Sequence, residues 1–259
     1  MIEKTIFIGK YFKDLESIDS TNSFSADLIK KNEAKHGMVV ITNKQISGKG
    51  QREKIWSSEH FMNLTFSLIL KTDFLLVSQQ FLLSMAISNA ILEYTNKKLV
   101  DSNFKALIKW PNDILVNNQK IAGILIENTI LTSNLIWSIV GIGFNLNQDE
   151  FVSSSPKDFK PVSLKNLLSK KYDIINELEL LCLFIEKWVM KLSSSKFEII
   201  IETYKNNLWN SGKEIQFKDD LNVLKYGKII GINEYGQLMI ECDRNKIKSS
   251  AEITIQKYF

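Results

Sequence analysis

The sequence is poor in the residues that build metal centres and disulfide frameworks. Its 259 residues include two histidines, His36 and His60, and two cysteines, Cys182 and Cys242, which lie far apart and outside any CxxC motif. This usage argues against a histidine-based metal site and predicts a reducing, cytoplasmic compartment. No apolar run reaches the roughly 18 residues of a membrane-spanning helix, and no N-terminal signal pattern is present, so we expect no membrane partner.

An excess of charge of either sign is also missing. Lysine and arginine number 33 against 29 acidic residues, which gives a formal net charge of +4. The lysines are scattered, so they predict a solvated surface and no nucleic-acid partner. A hydrophobic content of 44% is that of an ordinary globular protein, and the length allows one large domain with a small one beside it.

The hydrophobic periodicity predicts an α+β protein with two domains. Helical spacing covers residues 78–94 and 177–208, with an interruption near 193–195, and residues 19–22 offer capping side chains for a short helix. Alternating or apolar runs predict strands at 6–12, 37–42, 63–70 and 135–147. After Trp209, short alternating segments separated by glycine, asparagine and aspartate predict a small antiparallel barrel of about 50 residues. The expected domains are therefore residues 1–208 and 209–259.

The most informative stretch is KWPNDILVNNQKIAGILIE at residues 109–127. It predicts a strand, a turn, a second strand, a tight Asn-Asn turn and a third strand, with Lys120 at the start of the last, apolar strand. A lone lysine there is more often an ordinary snorkelling side chain. The whole string, however, resembles the signature of biotin protein ligases, in which Lys-Trp-Pro-Asn-Asp precedes a hairpin that ends in Lys-x-Ala-Gly-Ile-Leu-x-Glu.

Three further segments resemble this family in the same order along the chain. They are Ser-Thr-Asn at 20–22, the glycine- and lysine-containing loop at 45–56, and Gly-x-Gly-x-Asn-x-Asn at 141–147. Taken singly, each has an ordinary explanation: a helix cap, a surface loop, and a strand that ends in a turn. The loop departs from the family's Gly-Arg-Gly-Arg pattern, because Lys49 replaces the first arginine, Gln51 stands at the second, and Glu53 replaces a common glycine. His60 and Phe61 stand where a Pro-Gly pair is frequent.

The resemblance implies a fold and a reaction. The fold is a mixed, largely antiparallel sheet with flanking helices, similar to class II synthetases and biotin–lipoate ligases, with a C-terminal SH3-like β-barrel. The reaction activates biotin with ATP and Mg²⁺ as biotinyl-5′-AMP and transfers biotin to a lysine of a carrier domain, the biotin carboxyl carrier protein of acetyl-CoA carboxylase. A homodimer is left open.

The resemblance also implies roles for particular residues. Catalysis falls to Lys120 and Arg52. Biotin contacts fall to Ser20, Thr21, Asn22, Gln45, Gly48, Lys49, Gly50, Gln51, Lys120, Gly123, Gly141 and Gly143. ATP and phosphate contacts fall to Lys49, Arg52, Lys54, Trp56, Asn112 and Asn145, and a metal contact to Asp113. For Asn112 and Asp113 the alternative is a polar turn after Pro111. For Trp56, Trp110 and Trp137 the alternative to a ligand contact is the core.

Two other functions remain open at this stage. A lipoate-type ligase shares the architecture and the acyl-adenylate chemistry. A biotin-sensing repressor belongs to a different class, and repressors of this family carry an added N-terminal DNA-binding domain. Since 19 residues precede Ser20, too few for such a domain, we expect a ligase without DNA binding.

Overall fold

The computed structural model describes residues 1–51, 54–151, 159–218, 223–242, 246–250 and 254–255. A seven-stranded sheet forms the centre of the larger part of the chain. Its strands are β1 Phe12–Ile18, β2 Met38–Gln45, β3 Leu64–Lys71, β4 Ala106–Lys109, β5 Asp113–Val116, β6 Gln119–Leu131 and β7 Asn134–Phe144. Their order is β1-β2-β3-β7-β6-β5-β4. Only the β1–β2 pair is parallel among the strand pairs described in this sheet. The mainly antiparallel α+β fold is thus confirmed.

Five helices flank this sheet in the described part of the chain. They are α1 Thr21–Lys30, α2 Gln80–Lys98, α3 Leu164–Leu168, α4 Ile174–Ser193 and α5 Phe197–Asn206. Ser20, Ser163 and Asp173 cap α1, α3 and α4 by accepting a backbone N–H bond in the first turn. The predicted interruption of the long helix lies between α4 and α5, where Ser195 has a positive φ of 55°.

The two faces of the sheet bury different partners. On β3 the side chains alternate: Leu64, Phe66 and Leu68 join the main core with residues of α2 and α4. Ile69 joins a smaller cluster with Leu28 of α1. This alternation follows from the period of two along a strand. It leaves the remaining positions of β3 on the α1 side, Thr65 and Ser67, beside the cleft described below.

The predicted strand at residues 6–12 is wrong. The strand begins at Phe12, and the preceding residues form turns. The backbone N–H groups of Ile6, Phe7 and Ile8 donate to the buried carboxylate of Glu186 on α4, at 2.7–2.9 Å. These bonds satisfy backbone donors that an edge strand would have paired with a neighbour. The partner lies about 180 positions along the chain, so no local pattern could reveal it.

A second, five-stranded sheet lies at the C-terminal end. Its strands are β8 Glu214–Lys218, β9 Leu224–Ile232, β10 Leu238–Cys242, β11 Lys246–Ser250 and β12 Thr254–Ile255, in the order β11-β10-β9-β8-β12. All of its described pairs are antiparallel. The sheet contacts the first part of the chain, because the indole N–H of Trp110 donates to the carbonyl of Gly236 at 2.8 Å.

A search of the helices formed by described residues finds none with the length and apolar character that crossing a membrane requires.

Candidate functional site

A cleft of about 1030 Å³ opens beside β3, β7 and β6 and the start of α1. Most of the residues singled out from the sequence line it: Ser20, Thr21, Asn22, Gln45, Lys49, Gly50, Gln51, Lys54, Trp56, Asn112, Asp113, Lys120, Gly123, Gly141, Gly143 and Asn145. Gly48 is not among the described lining residues, and its carbonyl accepts from the backbone N–H of Trp56 at 2.9 Å. Arg52 and Glu53 lie outside the described residues. Tertiary structure therefore brings four separated segments to one cleft.

Glycines on neighbouring strands form the floor of the cleft, and their lack of side chains leaves room above the sheet. Gly143 of β7 pairs with Gly123 of β6, and Gly141 pairs in the next row. A Cβ on Gly141 would overlap the side-chain amide of Asn22, and one on Gly143 would overlap the indole of Trp56. Side chains at these positions would therefore fill the space that a ligand needs.

One end of the cleft is a polar network built around the start of α1. The carboxamide Oε1 of Gln45 accepts from the backbone N–H of Thr21 at 2.9 Å. The Ser67 hydroxyl lies 2.7 Å from Thr21 Oγ1 and 2.6 Å from Asn22 Oδ1. The amide of Asn22 donates to Glu127 at 2.6 Å. Thr21, Asn22 and Ser67 are buried, Gln45 is partly buried, and their side chains hold one another, so this end presents hydroxyl and amide groups in fixed positions.

The other end of the cleft carries charge. The ammonium group of Lys120 lies 2.7 Å from Asp113 Oδ1, and that of Lys109 lies 3.4 Å from Oδ2. Burial raises the pKa of Asp113, but the two lysines outweigh that effect and hold this pKa below its ordinary value. Two cations share one carboxylate, so this end has a positive excess that suits an anionic ligand.

Two asparagines of the predicted set support the backbone around Lys120. The amide of Asn112 donates to the carbonyl of Ile124 at 2.7 Å, and that of Asn145 donates to the carbonyl of Lys120 at 3.2 Å. The backbone N–H of Lys120 also donates to the carbonyl of Lys160 at 2.8 Å. These bonds fix β6 where its lysine enters the cleft.

The loop after Gln45 folds back on itself. The N–H of Gly50 donates to the carbonyl of Lys54 at 2.6 Å, and the backbones of Lys49 and Ile55 form a bridge. The Lys49, Gln51 and Lys54 side chains are exposed. Trp56 ends the loop over the floor, and the Lys120 ammonium lies 5.5 Å from its ring centre.

The predicted metal role does not fit the surroundings of Asp113. Both of its carboxylate oxygens face lysine ammonium groups, which compete with a cation for the same lone pairs. Among the described residues, no group of three or more histidine, cysteine, aspartate or glutamate side chains has the arrangement of a metal site. The Asp113 carboxylate is therefore already engaged by lysine and is not open to a cation in this arrangement.

The tryptophans divide between the cleft and the core. Trp56 and Trp110 line the cleft, and Trp110 also belongs to the main core. Trp137 packs instead against the small cluster of Leu28, Met38, Val40 and Ile69. The alternatives left open for these three residues thus have different outcomes.

Sequence reasoning missed several residues of the cleft and of the polar network at its end. Thr65 and Ser67 stand two apart in an otherwise apolar strand, and that spacing was the available signal, because buried polar side chains in a strand need partners. Lys109 belongs to the 109–127 motif, but the family resemblance assigned it no role. The turn at 233–237, which brings Tyr235 and Gln237 to the cleft, carries no local signal of this role.

The comparisons with known proteins agree with this geometry. Residues 15–145 match the family described as the biotin/lipoate A/B protein ligase family. The bifunctional ligase/repressor BirA of Bacillus spizizenii is 29% identical over 242 residues, which cover 92% of this chain and 71% of that protein. The biotin–[acetyl-CoA-carboxylase] ligase of Mycobacterium tuberculosis is 26% identical over 149 residues, 56% of this chain and 54% of that one.

A solved structure supports the fold. The biotin protein ligase from Aquifex aeolicus, in complex with biotin and ATP, superposes with a TM-score of 0.78 at 23% identity and covers 96% of this chain and 100% of its own. At this identity the likeness establishes the architecture. The sequence match, however, takes in three of the four motifs entirely, together with the first part of the last one. The chain belongs to the biotin/lipoate A/B protein ligase family.

Proposed function

We propose that this protein is a biotin protein ligase, which makes biotinyl-5′-AMP from biotin and ATP and then biotinylates a lysine of a carrier protein. The observation that carries the proposal is the cleft itself. A network of hydroxyl and amide groups lies at one end and a cationic cluster at the other, with a glycine floor between them. Biotin has the matching order of groups: a polar ureido ring, an apolar middle and a carboxylate.

The polar end suits the ureido group. This group has one strong acceptor oxygen and two N–H donors, and the side chains of Thr21, Asn22, Gln45 and Ser67 supply both kinds of complement. Their bonds to one another in the free protein hold them in place before the ligand arrives, which lowers the cost of ordering them. A lipoyl group carries no ureido function, so it would offer these polar groups no hydrogen-bonding complement at this end.

The cationic end suits the reacting groups. In the first step a carboxylate oxygen of biotin attacks the α-phosphorus of ATP, the bond to the bridging oxygen breaks, and pyrophosphate leaves. Lys120 neutralises negative charge that the attacking carboxylate and the phosphate share, and Lys109 adds a second cation. Arg52, Lys49 and Lys54 are proposed to hold the phosphates, as the family resemblance implies. The residues around Lys120 act by alignment and charge, and none forms a covalent intermediate.

The second step transfers the acyl group. The neutral ε-amine of the acceptor lysine attacks the acyl carbon, the bond to AMP breaks, and the surplus amine proton leaves to solvent. We propose that the acceptor belongs to the biotin carboxyl carrier protein of acetyl-CoA carboxylase, in the cytoplasm. Mg²⁺ is proposed to enter with the phosphates of ATP, because Asp113 is already engaged by two lysines.

The domain organisation is part of the same proposal. Residues 1–208 would form the catalytic domain and residues 209–259 an SH3-like barrel. The antiparallel order of the C-terminal sheet supports this division. Trp209 lies at the boundary. Its backbone N–H donates to the carbonyl of Ile108 at 2.7 Å, and its indole N–H donates to the side-chain oxygen of Asn118 at 2.8 Å. A truncated form should therefore keep Trp209 if it is to retain β4.

The decisive experiment follows each step separately. The protein is incubated with labelled biotin, ATP and Mg²⁺, and biotinyl-adenylate is sought; a carrier domain is then added and labelling of its lysine is measured. Parallel incubation with lipoate tests the related activity. Formation of lipoyl-adenylate without biotinyl-adenylate would refute the biotin assignment. Formation of neither adenylate would refute the assignment as a ligase.

A further inference from the structure

One buried hydroxyl on the floor of the cleft has no role in the contacts described so far. Thr65 of β3 is 5% exposed and lines the cleft. Its Oγ1 is buried and finds no hydrogen-bond partner in the part of the chain that the structure describes. Burying a hydroxyl without a partner costs free energy, and the cost is recovered if a ligand completes the bond.

A missing partner alone does not mark a site. Ser88 Oγ and Asn89 Oδ1, both on α2, are also buried without one in the described structure. They lie in the core and do not line the cleft, so their isolation has no connection with a ligand. Thr65 differs because it lies on the floor of the cleft, where the ligand is proposed to bind.

The strand register places Thr65 relative to the two ends of the cleft. Thr65 pairs with Gly143, which pairs with Gly123, and Lys120 Nζ lies 3.1 Å from where a Cβ on Gly123 would be. With strands about 4.8 Å apart, Thr65 is roughly 10 Å across the floor from Gly123. Ser67, at the polar end, faces the same side about 7 Å along β3. Thr65 thus flanks the middle of the floor.

The indole of Trp56 lies over the same row of the sheet as Thr65. It lies directly on Gly143, and its Nε1 is likewise buried without a partner among the described residues. Two polar groups without partners therefore meet the floor at one row of the sheet. A ligand that occupies this row displaces the indole and reaches the Thr65 hydroxyl.

The chemistry of biotin identifies the group that Thr65 meets. With the ureido ring at the polar end and the carboxylate near Lys120, the fused thiophane ring covers the row of Gly143. Its sulfur lies on the edge of the fused ring opposite the ureido carbonyl, and this edge reaches the row of the sheet that contains Gly143 and Thr65. We propose, resting on the biotin-ligase function above, that the Thr65 hydroxyl donates a hydrogen bond to the thioether sulfur and so selects biotin over analogues without sulfur.

The test compares two ligands with three variants of the full-length protein. Calorimetry measures the Kd of biotin and of desthiobiotin, which lacks the sulfur, for the wild type, Thr65→Val and Thr65→Ser. Ser88→Ala is the matched control, since it removes a buried unpartnered hydroxyl outside the cleft. Thr65→Val should raise the Kd of biotin about threefold to tenfold and that of desthiobiotin by less than about twofold. Thr65→Ser and Ser88→Ala should leave both values near wild type.

A thermal measurement separates recognition from a structural role. Without ligand, Thr65→Val should unfold at the same temperature as the wild type or higher, because it removes a hydroxyl that lacks a partner. A lower unfolding temperature, an equal loss of affinity for both ligands, or no loss for biotin would each overturn the inference. A wild-type protein that binds no biotin would instead refute the proposed function.

Discussion

Asp113 should hold the charged end of the cleft together, and Asp113→Asn tests this directly. The substitution keeps the shape of the side chain and removes the charge that Lys120 and Lys109 share at 2.7 and 3.4 Å. Breaking a fully buried ion pair costs about 3–5 kcal/mol, and an exposed pair contributes about 0–1 kcal/mol. The Asp113, Lys109 and Lys120 side chains are 13%, 18% and 28% exposed, so this cluster lies between the two limits. We expect a loss of about 2 kcal/mol at pH 7.

Thermal unfolding followed by circular dichroism measures this effect. For a chain of this size, about 2 kcal/mol lowers the Tm by about 4–8 °C. Asp149→Asn is the matched control: Asp149 pairs with Lys165 on the surface and is 60% exposed, so its loss should change stability by less than about 0.5 kcal/mol.

The pH dependence gives a second test of the same charge. The folded pKa of Asp113 is lowered, so its contribution is present above the ordinary value of 3.8 and is lost as pH falls through the folded pKa. The gap in Tm between wild type and Asp113→Asn should therefore narrow below about pH 4. Equal Tm values at neutral pH would show that the lysines do not depend on Asp113, and a gap that stays constant into acid would show that its charge is not the cause.

Three further outcomes are expected. Lys120→Ala should reduce biotin-dependent ATP–pyrophosphate exchange on the order of a hundredfold without unfolding the protein, because it removes a charge used in the transition state; near-wild-type exchange would contradict the role proposed for this lysine. Trp56→Phe should abolish most of the change in tryptophan fluorescence on biotin binding, since this indole lies on the floor of the cleft; an undiminished change in the variant would place the ligand elsewhere. Trypsin should cleave after the exposed Lys49 and Lys54 more slowly once biotinyl-AMP is bound, and equal rates in both states would remove the loop from the site.

The local sequence predicted those elements whose signals lie within a few residues. Ser20 caps α1, and the strand and turn pattern of the 109–127 motif appears as β4, β5 and β6. The break between α4 and α5 lies where serines interrupt the helical spacing. Caps, turns and periodicity depend on near neighbours, so one sequence suffices to indicate them. The motifs also indicated which residues would meet, through their resemblance to a family.

Only the tertiary structure decided how those residues are used. Asp113, a candidate metal contact in the sequence, lies between two lysines, because it pairs with Gly123 of β6 and the Lys120 side chain reaches over that row to its carboxylate. Thr65 reaches the floor because β3 pairs with β7. The segment before β1 is held by Glu186 from the far end of the chain. The contacts of Thr65 and Glu186 join positions far apart in the chain, and the energy of all these contacts depends on burial and exact distance, which local periodicity does not encode.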